Sequence, residues 1–290
     1  MPAANEISDF LTSRRARIAP DDVGFPALGG RRRVAGLRRQ EVAILAGISV
    51  EYYTQLERGN ARGVSDDVLD ALARALRLED AERTHLYDLV RANASRPTRR
   101  RACQRVRPGV QRVLDAITAP AVLRNGRMDL LSANQLGRAL YAPIFESPAG
   151  PPNIARFAFL DPHAPDFFVE WETGANDCVA LLRAAAGRDP YDRDLAQLIG
   201  ELSTRNEGFR TRWAAHNVKF HRTGPKSLHH PIVGALTVEG ETFSLPGDAD
   251  QTMTVYTAEP SSRSQEALDL LASWASTPVR AADAPDPASS

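Results

Sequence analysis

The sequence predicts two domains, an all-α domain of short helices followed by an α+β domain with one antiparallel sheet. The 290 residues are enough for two domains of ordinary size, each with its own core. Apolar residues recur at helical spacing through residues 1–95. Between residues 226 and 259, short alternating segments are separated by turn residues, which is typical of strands.

Each helix predicted in the first domain has an apolar stripe and a start or stop signal. Pro20 ends the first helix, Gly47 ends the second, and Ser49 is a good N-cap for the third. The spacing in the second helix places Leu45 on its buried face, together with Val42, Ala43 and Ala46. The predicted helices cover residues 6–17, 37–46, 50–58, 66–76 and 80–92.

A change in composition separates the two domains. Residues 1–110 hold 20 Arg against 14 acidic residues, a balance of +6, and residues 111–290 hold 16 basic against 22 acidic residues, a balance of −6. The net charge of zero is therefore a sum of opposites, and the basic part favours a nucleic-acid partner. The predicted boundaries are 1–95 for the helical domain, 96–107 for an Arg-rich linker, 108–276 for the α+β domain and 277–290 for a disordered tail.

The second domain is predicted to alternate between strands and helices before its main sheet. Asn125-Gly126 indicates a type I′ hairpin between strands at 121–124 and 128–132. Four further strands are read from the segments SLHH, IVGALTVE, TFSL and QTMTVYTAE. The predicted helices cover residues 109–118, 134–141, 153–159, 166–186, 193–203, 207–215 and 262–275.

Several classes of protein are disfavoured by composition. There is no run of about 18 apolar residues to span a membrane, and the first ten residues carry no basic segment typical of a secretory signal. Cys103 and Cys178 are too few and too far apart for a disulfide framework or a zinc site. The expected protein is cytoplasmic, without metal, cofactor or membrane partner.

The most informative segment is LRRQEVAILAGISVEYYTQLERG, residues 37–59. A helix, a tight turn at Gly47 and a second helix from Ser49 form a helix-turn-helix, in which small Ala43 allows the two helices to cross closely. The outer face of the second helix is available to a major groove. That face carries Val50, Glu51, Thr54, Gln55 and Arg58.

These residues resemble the XRE-type, repressor-like helix-turn-helix regulators, whose motif ends in the Leu-Glu-Arg-Gly seen at 56–59. The resemblance covers about residues 5–92 and departs in the long loop 19–36. It implies a phosphate contact near Arg39 and base contacts from Val50, Glu51 and Gln55.

Physical chemistry suggests roles for the polar residues of the motif. Arg38 and Arg39, in the first turn of their helix, fit a phosphate, while Gln55 fits an adenine edge and Glu51 the N4 of cytosine. The basic residues of the loop, Arg31, Arg32 and Arg33, suit a minor groove or the DNA backbone, or are simply solvated. The predicted DNA-binding residues are Arg31, Arg32, Arg33, Arg38, Arg39, Ser49, Val50, Glu51, Tyr52, Thr54, Gln55 and Arg58.

The second domain also resembles a known family. The segments PGVQRVLDAI, AVLRNGRMDLLSANQLGRALY, NIARFAFLDP and LPGDADQTMTVYTAEP look like the MmyB-like ligand-binding domain of many actinobacterial regulators. The resemblance implies a PAS-like fold, an apolar cavity and a fatty-acid-like ligand. Phe157, Phe168 and Trp171 are candidate cavity walls. Arg210, Trp213 and His216, at i, i+3 and i+6, are candidate head-group contacts on one helical face.

The sequence thus predicts a DNA-binding transcriptional regulator rather than an enzyme. The expected form is a homodimer on a palindromic operator of double-stranded DNA, with weak preference for a repressor. Two alternatives stay open at this point. One is a cytoplasmic enzyme with a DNA-binding head that uses the histidines at 216–230, and the other is a regulator that acts by protein–protein interaction without a small ligand.

Overall fold

The computed structural model describes residues 2–24, 36–94, 105–215, 224–247 and 250–276. Within these ranges it confirms the predicted fold class, an all-α N-terminal domain followed by an α+β domain with one antiparallel sheet. Arg31–Arg33, His216, most of the predicted linker and the tail 277–290 lie outside the described residues.

The N-terminal helices surround one apolar core. Phe10 of the first helix, Tyr53 of the third and Leu72 of the fourth are all buried in it. Such burial is the main stabilising contribution for helices this short, since isolated helices of eight residues are marginal in water. The helices are α1 (Pro2–Arg17), α2 (Arg39–Ala46), α3 (Val50–Glu57), α4 (Asp66–Ala75) and α5 (Asp80–Ala94).

The buried stripe of α2 is narrower than the sequence predicted. Val42, Ala43 and Ala46 are buried, but Leu45 is exposed. At 100° per residue, Leu45 lies about 100° round the helix from the centre of that stripe. The prediction for Leu45 was therefore wrong, because two turns of helix present only one narrow face to the core.

The described residues of the second domain form a five-stranded antiparallel sheet in the order β2-β1-β5-β4-β3. The strands are β1 (Ala121–Arg124), β2 (Leu130–Ala133), β3 (Pro225–His230), β4 (Gly234–Ser244) and β5 (Thr252–Thr257). The helices are α6 (Pro108–Ala116), α7 (Gln135–Leu140), α8 (Ala142–Phe145), α9 (Ile154–Leu160), α10 (Ala164–Phe167), α11 (Trp171–Arg188), α12 (Arg193–Arg205), α13 (Glu207–Ala214) and α14 (Arg263–Ser276).

The sheet separates two apolar clusters. On one face, β1, β4 and β5 contribute Val122, Val238 and Tyr256 to the main core, which also holds most of the aromatic residues of α9 to α13. On the other face, Leu114 of α6 packs with Leu123 in a smaller cluster. Both faces of β1 are therefore buried, which explains why its sequence is an unbroken apolar run up to Arg124.

The β1–β2 connection is longer than the predicted two-residue turn. The backbone N–H of Asn125 donates to the carbonyl of Asp129 (3.2 Å), and the Asn125 side chain bonds to Asp129 twice. A type I′ turn needs positive φ at both central residues, but here Met128 is the residue with positive φ (66°). The prediction of a type I′ turn was wrong because the Asn125–Asp129 pair closes the loop.

Two further element boundaries differ from the prediction. The segments IVGALTVE and TFSL belong to one strand, β4, because Gly240 continues it beneath the Tyr256 ring, where a Cβ would lie 2.8 Å from Cε1. The predicted helix 166–186 is interrupted because Phe168 bridges to Leu228 and the Val169 N–H donates to Ser227 (3.2 Å). Backbone pairing with β3 thus replaces a helical turn.

Candidate DNA-binding surface and ligand cavity

The helix-turn-helix has the geometry that its sequence predicts. Gly47 adopts a left-handed conformation (φ 65°) between α2 and α3, and Ala43 is fully buried where the helices cross. The Ser49 hydroxyl accepts a hydrogen bond from the Tyr52 N–H (3.0 Å) and caps α3. The turn therefore holds α3 in a fixed direction relative to α2, as a recognition helix requires.

The outward face of α3 carries polar side chains. Glu51, Gln55 and Arg58 are exposed, and Tyr52 is partly so. Val50 and Thr54 are half-buried, and the Thr54 hydroxyl donates to the Val50 carbonyl (2.7 Å). This arrangement leaves Glu51 and Gln55 with the freest approach to a base edge, and the base and phosphate contacts of all these residues stay predictions.

The first turn of α2 places its two arginines differently. Arg38 is exposed, while its backbone N–H donates to the Glu41 carboxylate (2.6 Å). The Nε of Arg39 pairs with Glu57, and this contact raises the pKa of Arg39. The Arg38 guanidinium is therefore better placed than Arg39 for a phosphate, and the Arg38 N–H is already occupied.

Glu57 is a structural centre of the motif that the sequence reading missed. Its buried carboxylate accepts hydrogen bonds from Nε of Arg15 (2.7 Å) and from Arg39, and the Tyr53 hydroxyl lies 3.5 Å away. Burial, followed by the charge of Glu57, raises the pKa of Tyr53. The Glu within Leu-Glu-Arg-Gly was the available signal, since an acid one turn after Tyr53 and next to Leu56, two residues of the buried face, needs a cationic partner.

A cavity of about 360 Å³ lies in the second domain, between the sheet and helices α9 and α11. Its wall is mostly apolar, and polar groups come from β1 and β3 and from the start of α11. Such a combination is typical of a small-molecule site. The apolar wall consists of Met128, Ile154, Ala158, Phe168, Trp171, Ala175, Cys178, Leu181 and Tyr256.

Two cations line this cavity. Arg124, at the end of β1, is only 7% exposed, and within the described part of the chain its guanidinium has no hydrogen-bond or ion-pair partner. Burial lowers the pKa of Arg124. Lys226 of β3 donates to the Tyr141 hydroxyl (3.2 Å). A buried cation without a carboxylate is costly, so this end of the cavity is suited to an anion.

The hydroxyl and thiol groups near the two cations are uncharged. The hydroxyls of Tyr141 and Tyr256 lie 2.6 Å apart, and burial raises the pKa of Tyr141 to about 12. Burial also raises the pKa of the Cys178 thiol to about 12. Two carboxylates also line the cavity, that of exposed Glu170 and that of half-buried Asp177, but no ion pair among the described residues joins either of them to Arg124 or Lys226. The buried end of the cavity is therefore electropositive.

Residues 106–271, more than half of the chain, match the model of the MmyB-like transcription regulator ligand binding domain. The chain belongs to this family. Residues 27–86 match the model of a helix-turn-helix domain. No curated protein matches the sequence. The two matches together describe a ligand-responsive transcriptional regulator that binds DNA.

The MmyB-like domain brings only some of the predicted ligand residues to its cavity. Phe168 and Trp171 line it, whereas Phe157 lies in the core against Phe167 and Phe168. Trp213 stacks on Phe209, with ring centroids 5.8 Å apart.

The two described residues of the predicted head-group face on α13 do not line the cavity. Arg210 is exposed and pairs with Glu207 (3.5 Å), and neither Arg210 nor Trp213 is among the described residues that line the cavity. Helix α13 ends at Ala214, and His216 lies outside the described residues, so its predicted head-group contact stays a prediction. The cations that do line the cavity are Arg124 and Lys226.

No group of three or more His, Cys, Asp and Glu side chains in the described ranges could hold a metal ion. None of the helices that the structure describes is long and apolar enough to cross a membrane.

Proposed function

We propose that the chain is an XRE-type repressor that binds a palindromic operator as a homodimer and releases it when a fatty-acid-like effector fills the MmyB-like cavity. A dimer would place two α3 helices about 34 Å apart, the spacing of successive major grooves. Since its partner is DNA, we place its action in the cytoplasm.

The single observation that supports a fatty-acid-like effector is the buried guanidinium of Arg124 at one end of an apolar cavity. A carboxylate head group would accept charge-assisted hydrogen bonds from Arg124 and approach Lys226, while an acyl chain would lie against Phe168 and Trp171. Removing the apolar chain from water supplies the affinity, and the head group sets its orientation.

A comparison of tetradecanoate with tetradecanol tests this proposal. Calorimetry on the full chain should give tetradecanoate the higher affinity, because only the acid neutralises Arg124. A duplex selected from random DNA by the ligand-free chain should then bind less tightly when tetradecanoate is added. Equal affinities for acid and alcohol, or tighter DNA binding with the acid, would contradict the proposal.

We also propose that the domain has no catalytic activity. His230 is buried with Nε2 3.0 Å from the Ala139 carbonyl, a structural position away from the cavity lining. Nδ1 of His163 bonds to Asp161 (3.0 Å). The cavity itself favours a small ligand over the alternative of a regulator that acts by protein–protein contact alone.

A further inference from the structure

Helix α11 is a wall shared by the ligand cavity and the DNA-binding domain. Ala175, Cys178 and Leu181 face the cavity. Arg183 follows Cys178 by five residues, so it lies about 140° round the helix at 100° per residue. Ala184, the next residue, packs against the core of the N-terminal domain. A displacement of α11 by a ligand therefore reaches both surfaces.

Arg183 makes the central contact between the domains. Its side chain is only 1% exposed, and its Nη1 lies 3.0 Å from Oε2 of Glu6 on α1. Its Nη2 donates to the Trp213 carbonyl, and its Cζ lies 4.0 Å above the centre of the Trp213 ring. One guanidinium thus binds α1 of one domain and α13 of the other.

The end of α13 depends on cations from both domains. The last four carbonyls of a helix have no partner within it and favour a positive charge. Here Arg183 binds the Trp213 carbonyl, and Arg17 of α1 donates to the Ala215 carbonyl (3.1 Å). Helix α1 is therefore fixed to α13 at two points.

A second contact shows how closely the domains approach. His85 of α5 lies against Gly187 of α11, where a Cβ would be 2.5 Å from Nδ1 of the ring. The ring cannot readily move away, because it is buried and meets Phe10 edge-on at 5.1 Å. Only glycine fits at this position while the domains stay in contact.

We propose that Arg183 is the positioning residue that couples the cavity to the DNA-binding domain: a ligand that displaces α11 breaks its contact with Glu6 and releases the helix-turn-helix from its DNA-competent orientation. The inference rests on the proposed function in one respect, namely that ligand binding weakens DNA binding. In the contacting arrangement Glu51 and Gln55 are exposed, so contact between the domains leaves the recognition face open. A ligand acts through the contact only if it binds the contacting and released forms with different affinity.

Glu6→Gln tests the coupling, with Glu201→Gln as the matched control. Glu201 also pairs with an arginine, Arg156 (2.9 Å), and its side chain is 26% exposed against 27% for Glu6, but that pair lies within the second domain. The probes are tetradecanoate and a duplex selected from random DNA by the wild-type chain.

In the wild type, tetradecanoate should weaken DNA binding by about 5- to 150-fold, the usual range for coupled sites. In Glu6→Gln the ligand-free chain should already bind DNA with nearly the affinity of the liganded wild type. The ratio of the DNA affinities without and with tetradecanoate should therefore fall below about twofold. Amide hydrogen exchange in α1 should be faster in Glu6→Gln than in the ligand-free wild type. Glu201→Gln should keep the wild-type ratio. A wild-type ratio in Glu6→Gln would overturn the proposal.

Gly187→Ala tests the coupling between the domains without any ligand, and Gly200→Ala is its control. A Cβ at Gly187 meets His85, whereas a Cβ at Gly200, within α12, meets nothing within 4 Å. Gly187→Ala should weaken DNA binding and speed exchange in α1 and α5, and Gly200→Ala should do neither. If the wild type binds no tetradecanoate, the effector proposal fails, but the glycine variants still test the coupling between the domains. Unchanged DNA binding in Gly187→Ala overturns the coupling proposal.

Discussion

The residue most indicative of function is Arg124, a buried cation that lines an apolar cavity. Removing a charge from water is unfavourable unless the charge is paired, and replacing buried charges by apolar groups is often stabilising. The fold therefore carries a destabilising group that a bound anion would neutralise. Removal of the Arg124 charge should therefore raise the stability of the ligand-free chain and lower the affinity for an anion.

Arg124→Met should raise the stability of the ligand-free chain by about 1–4 kcal/mol. It should also weaken tetradecanoate binding at least about tenfold, because a charge-assisted hydrogen bond contributes about 1.5–3 kcal/mol. Thermal unfolding and calorimetry measure the two effects. Arg205→Met, which removes an exposed arginine paired with Glu201, is the control and should change neither. A less stable Arg124→Met chain would show that the guanidinium has a structural role instead.

Gln55 is the residue on which base recognition can be tested most directly, because it is exposed on the outer face of α3. Gln55→Ala should relax the preference at one base position of a selected site, by about 1–3 kcal/mol of discrimination. Binding selections on random DNA, with and without the substitution, measure it. Gln265→Ala on α14 of the second domain should select the same sequence as the wild type. An unchanged preference in Gln55→Ala would exclude it as a base contact.

At the scale of elements, α3 is held by its last residue as well as by its cap. Glu57 joins α3 to α1 through Arg15 and to α2 through Arg39. Glu57→Gln should therefore reduce stability by about 3–5 kcal/mol, the usual effect of breaking a buried ion pair, as measured by urea unfolding. Glu51→Gln on the same helix, where the side chain is exposed, should stay within about 0.5 kcal/mol. A small loss in Glu57→Gln would mean that apolar packing alone fixes α3.

Local signals predicted the helices well and the connections poorly. Gly47 and Ser49 define the turn of the helix-turn-helix through their own backbone and side-chain chemistry, so their spacing is readable. The break before α11 is not readable, because it depends on pairing between Val169 and Ser227, 58 residues apart. The same holds for Gly240, whose place within β4 depends on the Tyr256 ring.

The candidate sites follow the same division. The outward face of α3 was predictable because it lies within one helix. The cavity was not, because Arg124, Cys178, Lys226 and Tyr256 come from three strands and a helix that meet only in the folded sheet. A charged residue at the end of the apolar strand Ala121–Arg124 was the available signal for a special environment, whereas helical spacing led to Arg210 instead.

At the scale of the whole molecule, the opposite charges of the two parts have separate consequences. Residues 1–110 carry +6 and residues 111–290 carry −6, and since residues 1–95 hold 14 Arg and 14 acidic residues, the positive excess lies in the Arg-rich linker 96–107. The net negative charge of residues 111–290 disfavours contact between the second domain and phosphate. A neutral chain should therefore still bind DNA with an affinity that falls steeply with salt, because counterion release depends on local contacts rather than on net charge.

The number of phosphate contacts can be counted from this salt dependence. Each phosphate that is neutralised contributes about −0.9 to the slope of log K against log salt concentration. Arg38→Gln, at the exposed start of α2, should reduce the magnitude of the slope by about one and weaken binding to all sequences alike. Arg205→Gln removes an exposed arginine of the second domain and should leave the slope unchanged. If both variants reduce the slope equally, DNA contacts extend over the acidic domain, and the charge division does not define the binding surface.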